Sequence, residues 1–275
     1  MTTELSAFFL PGAAGDIFAL ARGPWGQTAD HRQALLLLPP FAEEMNRSRR
    51  LMAAVAMNLA KRGIPSLCCD PFGTGDSAGD FSAARWEIWL DDSRRAIAWM
   101  RNQGAVTIHL LGIRLGGLLA LELAAEANRL CLLAPQLDGD QAMRQFLRIH
   151  LASDLERRQR GGSAGPSMAT LKQRLRAGDQ VSIAGYNLDG AMYQAIATRN
   201  AKSALPSTLP PTDWIGIGAS PSVDRESLTR QASTLPAATL HAVTGPPVWA
   251  QLEPAPADSL AAAVTAIIAA DREAG

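Results

Sequence analysis

Val106-Thr-Ile-His-Leu-Leu-Gly112-Ile113-Arg114-Leu115-Gly116-Gly-Leu-Leu-Ala120 joins an apolar strand, a tight turn between glycines and the start of an apolar helix. A strand that turns at once into a helix is the setting in which a G-x-S-x-G pivot presents a nucleophilic serine. The pivot here reads Gly112-Ile113-Arg114-Leu115-Gly116. Glycines fit its two ends because a strained turn and close helix packing leave no room for a Cβ. The nucleophile's place, however, holds Arg114. A guanidinium stays protonated, has no lone pair to offer and cannot attack a carbonyl. Serine chemistry is therefore not expected at this corner.

Working outward, continuous apolar runs alternate with helical stretches: Ala34–Leu38, a helix near 47–62, Pro65–Cys69, a helix near 83–102, Val106–Leu111, a helix near 115–127, and Arg129–Leu133. Strands without polar alternation predict a parallel sheet covered by helices on both faces. Ahead of them, Ala7–Leu10 and Ile17–Ala21 flank a Gly-containing turn and predict an antiparallel hairpin. From Asp138 to Leu205 the rhythm breaks, with Met143, Phe146, Leu147, Leu151 and Leu155 at helical spacing and a Gly161–Pro166 loop, which predicts an inserted helical cap. Strand and helix signals resume at Asp213–Ala219, Thr239–Val243 and about Asp258–Ala270. The expected division is a core over 1–138, a cap over 139–205 and the rest of the core over 206–275. Residues 140–179 hold eight Lys/Arg against four Asp/Glu, a local excess of four positive charges. A solvated helix face is the simplest account of it, and an anion-attracting lid the sharper one.

The chain has 275 residues, 47% hydrophobic and 19% charged, which suits a folded domain rather than a disordered chain. Lys plus Arg (26) cancels Asp plus Glu (26), so no electrostatic footprint nominates nucleic acid or an anionic membrane. Cys68, Cys69 and Cys131 fit reduced thiols, and without a CxxC or a Cys/His cluster no metal site or other cofactor is expected. The first residues lack a basic stretch followed by a long apolar one, and no run reaches the ~20 residues of a spanning helix. A soluble, cytoplasmic protein is expected.

A literal G-x-S-x-G occurs at Gly75-Asp76-Ser77-Ala78-Gly79. Pro71-Phe72-Gly73-Thr74 separate it from the preceding strand, so Ser77 belongs to a loop and not to a strand-to-helix pivot, and a structural role is expected. The wider pattern, Asp70-Pro-Phe-Gly73-Thr-Gly75-Asp-Ser77, resembles the loop after the fourth strand of α/β-hydrolases, and the chain order resembles that superfamily over nearly its full length. Leu38-Pro-Pro-Phe-Ala-Glu-Glu-Met-Asn-Arg-Ser-Arg-Arg50, Asp70–Asp80, the Trp86–Asp92 helix and Gly245-Pro-Pro-Val-Trp249 are similar to the exosortase A system-associated hydrolase 2 family. That resemblance implies a neighbourhood of exosortase and exopolysaccharide loci.

By position, the superfamily resemblance implies an α/β-hydrolase fold with an eight-stranded, mostly parallel sheet. It also implies an oxyanion hole from the backbone N–H of Phe41 or Ala42 and of Leu115. The triad acid would be Asp138 or Asp224. The catalytic histidine is expected in Thr244–Trp249, which has none. Of the four histidines, His31 precedes a strand, His109 lies in the pivot strand, His150 in the cap and His241 inside the last strand. A general base must reach the nucleophile; His241 is the candidate by chain order, though it is more simply a satisfied group at the sheet margin.

Arg114 needs a counter-charge. Glu43 or Glu44, from the loop expected to overhang the pivot, would close an internal pair; alternatively a ligand carboxylate, phosphate or acidic sugar would supply it. Trp249 takes the place of the missing histidine and, like Trp86 and Trp89, is expected to pack rather than stack on a sugar. The expected function is a hydrolase-fold protein of the exosortase and exopolysaccharide system that has lost its serine triad and binds an anionic or acylated small molecule or glycan in the cleft. The alternatives are an active esterase-like hydrolase, through Ser77 or another constellation, and a protein-interaction scaffold. Apolar cap helices equally suit a homodimer.

Overall fold

The computed structural model describes residues 4–26, 33–159, 165–218, 225–235, 237–251 and 256–270. Ten strands are described: β1 (Leu5–Pro11), β2 (Asp16–Arg22), β3 (Gln33–Leu38), β4 (Ser66–Cys69), β5 (Thr107–Ile113), β6 (Arg129–Leu133), β7 (Val181–Ile183), β8 (Tyr186–Leu188), β9 (Thr212–Gly218) and β10 (Thr239–Thr244). Eight of them form one sheet in the order β1-β2-β4-β3-β5-β6-β9-β10. The β1–β2 hairpin and the β2–β4 pair are antiparallel, and every other pair is parallel.

Outside the cap, α1 (Glu43–Ala60), α2 (Trp86–Asn102), α3 (Gly116–Glu122) and α8 (Arg225–Gln231) lie between strands and α9 (Asp258–Ala269) follows β10. Alternate strand residues face opposite sides of a sheet. Leu35, Leu37, Leu111, Ile113, Cys131 and Leu133 accordingly meet α1 and α9 on one face. Leu36, Leu38, Leu110, Leu130 and Leu132 meet α2 and α3 on the other. Burial on both faces is what the unbroken apolar runs demanded.

The cap leaves the sheet after β6 and returns before β9. It contains α4 (Gly139–Gln159), α5 (Met168–Arg176), α6 (Gly190–Ala197) and α7 (Ala201–Ala204), and between α5 and α6 the small antiparallel hairpin β7–β8. The hairpin is an addition to the expected helices: Ala184 (φ 49°) and Gly185 (φ 88°) make a two-residue turn with both φ positive, which pairs Ile183 with Tyr186. No helix among the described residues is long and apolar enough to cross a membrane.

Candidate functional site

The corner between β5 and α3 has the strained geometry its sequence predicts. Arg114 sits at φ 55°, a left-handed conformation that costs a non-glycine residue of order 1 kcal/mol or more. Its N–H bonds to Leu133 O at 3.1 Å, and its own carbonyl accepts from Gly117 N–H at 3.0 Å. A Cβ on Gly112 would lie 2.7 Å from Gly116 O, and one on Gly116 would lie 2.4 Å from Leu38 O. The glycines thus let β3, β5 and α3 close to backbone contact.

The guanidinium is held on three sides. Nε donates to Glu44 Oε2 and Nη2 to Glu44 Oε1, each at 3.3 Å, while Nη1 donates to Ala134 O at 3.1 Å. Its carbon lies 5.2 Å from the ring centroid of Trp249. Glu44 stands in the first turn of α1, where the helix dipole favours an acid. Burial nevertheless pushes the Glu44 carboxyl above the usual carboxylate range, and the charge and hydrogen bonds of Arg114 pull it back only in part. Glu43 turns elsewhere, to Arg47 at 3.3 Å and to the Tyr186 hydroxyl at 3.4 Å.

In front of this pair lies a cleft of about 190 Å³ between Phe41, Leu115 and Trp249 on the core and Met143, Phe146 and Ile149 of α4 on the cap. Glu43, Glu44, Arg47, Gln136 and Gln145 provide its polar margin, with the Gln136 amide donating to Gln145 Oε1 at 2.6 Å. A second cavity, about 380 Å³, opens behind Arg114 and Trp249 at the ends of β6, β9 and β10. Ala42, at φ 50° and ψ −123°, starts α1 beside the front cleft, and Leu115 precedes α3. Within the described residues no backbone acceptor takes the N–H of Ala42 or of Leu115.

The remaining predicted residues are dispersed. Ser77 Oγ donates to Asp70 O at 2.5 Å and accepts from Phe18 N–H at 2.8 Å, so it ties its loop to β2. Asp138 is exposed and accepts from Gln141 N–H at 2.9 Å, capping the start of α4. Asp224 and His31 lie outside the described residues, as does the His150 side chain. His109 is bonded to Gln33 within the sheet at 3.0 Å. The His241 ring bonds to Asp213 at 2.7 Å, and Asp213 also holds Arg129 at 2.6 Å. His241 stands on β10, three strand spacings or roughly 14 Å across the sheet from β5. No described imidazole therefore reaches the Arg114 corner. Thiols offer no substitute: desolvation pushes the Cys68 thiol up to about 12 and raises Cys69 as well. Among the described residues no group of His, Cys, Asp and Glu could hold a metal ion.

Sequence reasoning missed Gln136, Gln145 and Tyr186. Phe146 was visible only as one member of an apolar helical repeat. The only local signal near Tyr186 is the Ala184-Gly185 turn between Val-Ser-Ile and Tyr-Asn-Leu, runs of three residues that are too short to be read as strands.

A family model described as serine aminopeptidase, S33, matches residues 29–205. A search of curated protein sequences gives no match. Among solved structures, Est1E from Butyrivibrio proteoclasticus with ferulic acid bound is similar at 15% identity, covering 98% of this chain and 100% of that one, with a TM-score of 0.65. XC6422 from Xanthomonas campestris, described as an α/β serine hydrolase without a lid, has 17% identity over 98% and 96% of the two chains and a TM-score of 0.57. The thioesterase domain from the curacin biosynthetic pathway has 18% identity over 97% and 99%, with a TM-score of 0.58. At these identities the likeness is one of fold.

Proposed function

The chain belongs to the serine aminopeptidase S33 family of α/β-hydrolases, and from that premise we propose that it keeps the family's cleft as a binding site without serine-triad catalysis. The carrying observation is Arg114 itself, held at φ 55° in the pivot and locked to Glu44, Ala134 and Trp249. A residue that cannot surrender a proton or donate an electron pair fills the one backbone position from which attack is launched.

The walls support one ligand class. Phe41, Leu115, Met143, Phe146 and Ile149 suit an acyl chain, and the N–H groups of Ala42 and Leu115 suit its carbonyl oxygen. Glu44 already neutralises the guanidinium, which supports an acylated ligand over a free anion. The resemblance to exosortase A system-associated hydrolases supports an accessory role beside exopolysaccharide export, with an acylated glycan as one form such a ligand takes.

A serine-reactive fluorophosphonate probe tests the reading. The folded protein is expected to stay unlabelled, and covalent labelling at any serine overturns the loss of catalysis. In parallel, short-chain acyl esters should raise the melting temperature saturably and survive incubation intact, and Ile149→Arg at the cleft wall should abolish the shift.

A further inference from the structure

Among the described strands, β1 closes one side of the sheet, with β2 on its inner side. Its hydrogen-bond phase can be read from its two ends. Gly23 N–H bonds to Glu4 O at 2.9 Å, and Gly12 N–H bonds to Gly15 O at 3.1 Å. Antiparallel ladders alternate bonded and non-bonded pairs, so the even-numbered residues Glu4, Ser6, Phe8 and Leu10 aim their N–H and C=O groups at β2. Leu5, Ala7 and Phe9 aim theirs outward.

The same three residues expose their side chains. Leu5 is 51% and Phe9 58% accessible, and Ala7 between them is exposed as well. Phe9 continues onto Phe18 of β2, in an edge-to-face contact of 5.7 Å between centroids. No charge occurs from Leu5 to Gly15. Free edges are commonly blunted by lysines, inward charges or prolines; β1 has no lysine or inward charge, and its one proline, Pro11, stands at its end beyond Leu5, Ala7 and Phe9. The other end strand, β10, exposes Thr239, Ala242 and Thr244 and no large apolar side chain.

We infer that β1 is the pairing edge for a second copy of this chain. The strand is self-complementary in one antiparallel register, with the two-fold axis at Ala7. Leu5 then faces the partner's Phe9, Ala7 faces the partner's Ala7, and Phe9 faces the partner's Leu5. These become bonded pairs, each exchanging two N–H···O bonds, so all outward donors of the three residues are satisfied. Leu5 and Phe9 pack side by side across the axis, a cross-strand pair of the stabilising aromatic and aliphatic kind. Glu4 falls opposite the partner's Leu10, so like charges do not meet. A one-residue slip sets outward groups against inward ones, and a two-residue slip sets Phe9 against Ala7 or Thr3 instead of Leu5. The product is an isologous dimer whose two sheets run on as one, with both clefts open. Its contact is a single strand about 24 Å long, so the dimer is reversible and concentration-dependent.

Sedimentation of the full chain from low micromolar to near-millimolar concentration should show a monomer–dimer equilibrium, weakened at least tenfold by Phe9→Lys and by Ala7→Pro. The Pro variant removes an outward N–H that β2 does not use. Hydrogen exchange on the unmodified chain supplies a readout independent of any variant's folding. The amides of Leu5, Ala7 and Phe9 should gain protection as concentration rises, while those of Ser6, Phe8 and Leu10 stay protected throughout. A monomer at every concentration, a dimer insensitive to Phe9→Lys in a folded variant, or uniform exchange along β1 overturns the inference.

Discussion

At Arg114 a backbone conformation that suits glycine holds one of the longest side chains, and its stability depends on what surrounds the guanidinium. The Glu44 pair is partly accessible, 13% on the Arg114 side and 22% on the glutamate. Arg114→Met should therefore cost about 1–3 kcal/mol, below a fully buried pair and above an exposed one. The sign of its pH dependence follows from Glu44. A carboxyl whose folded pKa lies above its unfolded value favours folding in acid, and that contribution is lost as pH rises through the folded pKa. Removing Arg114 takes away the charge that restrains the rise. The variant should match the parent most closely in acid and fall progressively below it towards neutral pH, as melting curves across pH would record; a constant offset would mean that Glu44 is not the linked group. Arg114→Ser should still show no ester hydrolysis, because no described imidazole reaches the corner; measurable turnover would locate a base outside the described side chains. The Arg114 pivot was legible because five consecutive residues define it. Which glutamate answers it was not, since neighbouring helical residues diverge by about 100° and only the packed helix shows that Glu44 faces Arg114 and Glu43 faces the cap.

Elements were legible where one property repeats over enough residues. The parallel strands were read from unbroken apolar runs, α1, α2 and α9 as the helical stretches that alternate with them or follow the last, and α4 from helical spacing, because burial on two faces or one writes itself directly into sequence. β7 and β8 are three residues each, too short for alternation to stand above chance. The Asp70–Gly79 loop was legible by its glycines and by Ser77, though only the structure shows what the serine holds. Ser77→Ala deletes the donor to Asp70 O and strands Phe18 N–H in β2. It should lower stability by about 1–3 kcal/mol, the usual cost of an unsatisfied buried group, without changing ligand-induced thermal shifts in the cleft. Gly116→Ala tests the other junction. Its Cβ would fall 2.4 Å from Leu38 O and 2.7 Å from Pro39 O, both backbone atoms, so β3 and α3 must separate. Denaturant unfolding should show a loss at the upper end of the ~1–3 kcal/mol seen for overpacking, and a neutral result would mean that α3 docks more loosely than its contacts indicate.

Across the whole molecule, cap and core are joined by residues far apart in sequence, which is why the sequence could outline the insertion but not its attachment. Phe41 meets Phe146 at 5.1 Å between centroids, and Phe81 meets Tyr186 at 5.0 Å. Arg85 pairs with Asp189 at 3.3 Å. Part of the cap's local excess of positive charge is answered inside the cap, where Arg144 and Lys172 share Asp140 and Arg174 pairs with Asp179. That weakens the account of the cap as an anion-attracting lid. Arg199, at the end of α6, reaches the core instead: Nε to Glu122 at 2.8 Å, Nη2 to Glu87 at 3.0 Å, and the guanidinium carbon 5.3 Å from the Trp86 ring centroid. Glu122 also accepts from the Trp86 indole at 3.1 Å, so one cation closes a network spanning α2, α3 and the cap. Glu87 is mostly exposed, at 65%, and contributes little; the weight falls on Glu122 and Trp86. Arg199→Met should therefore cost about 1–3 kcal/mol and act locally. Hydrogen exchange should quicken in α6 and the first half of α4 while β3 and β5 keep the protection of the global transition. Loss of protection spread evenly over sheet and cap would show instead that the two unfold as one unit, and that the cleft is a fixed cavity rather than a space the cap can open.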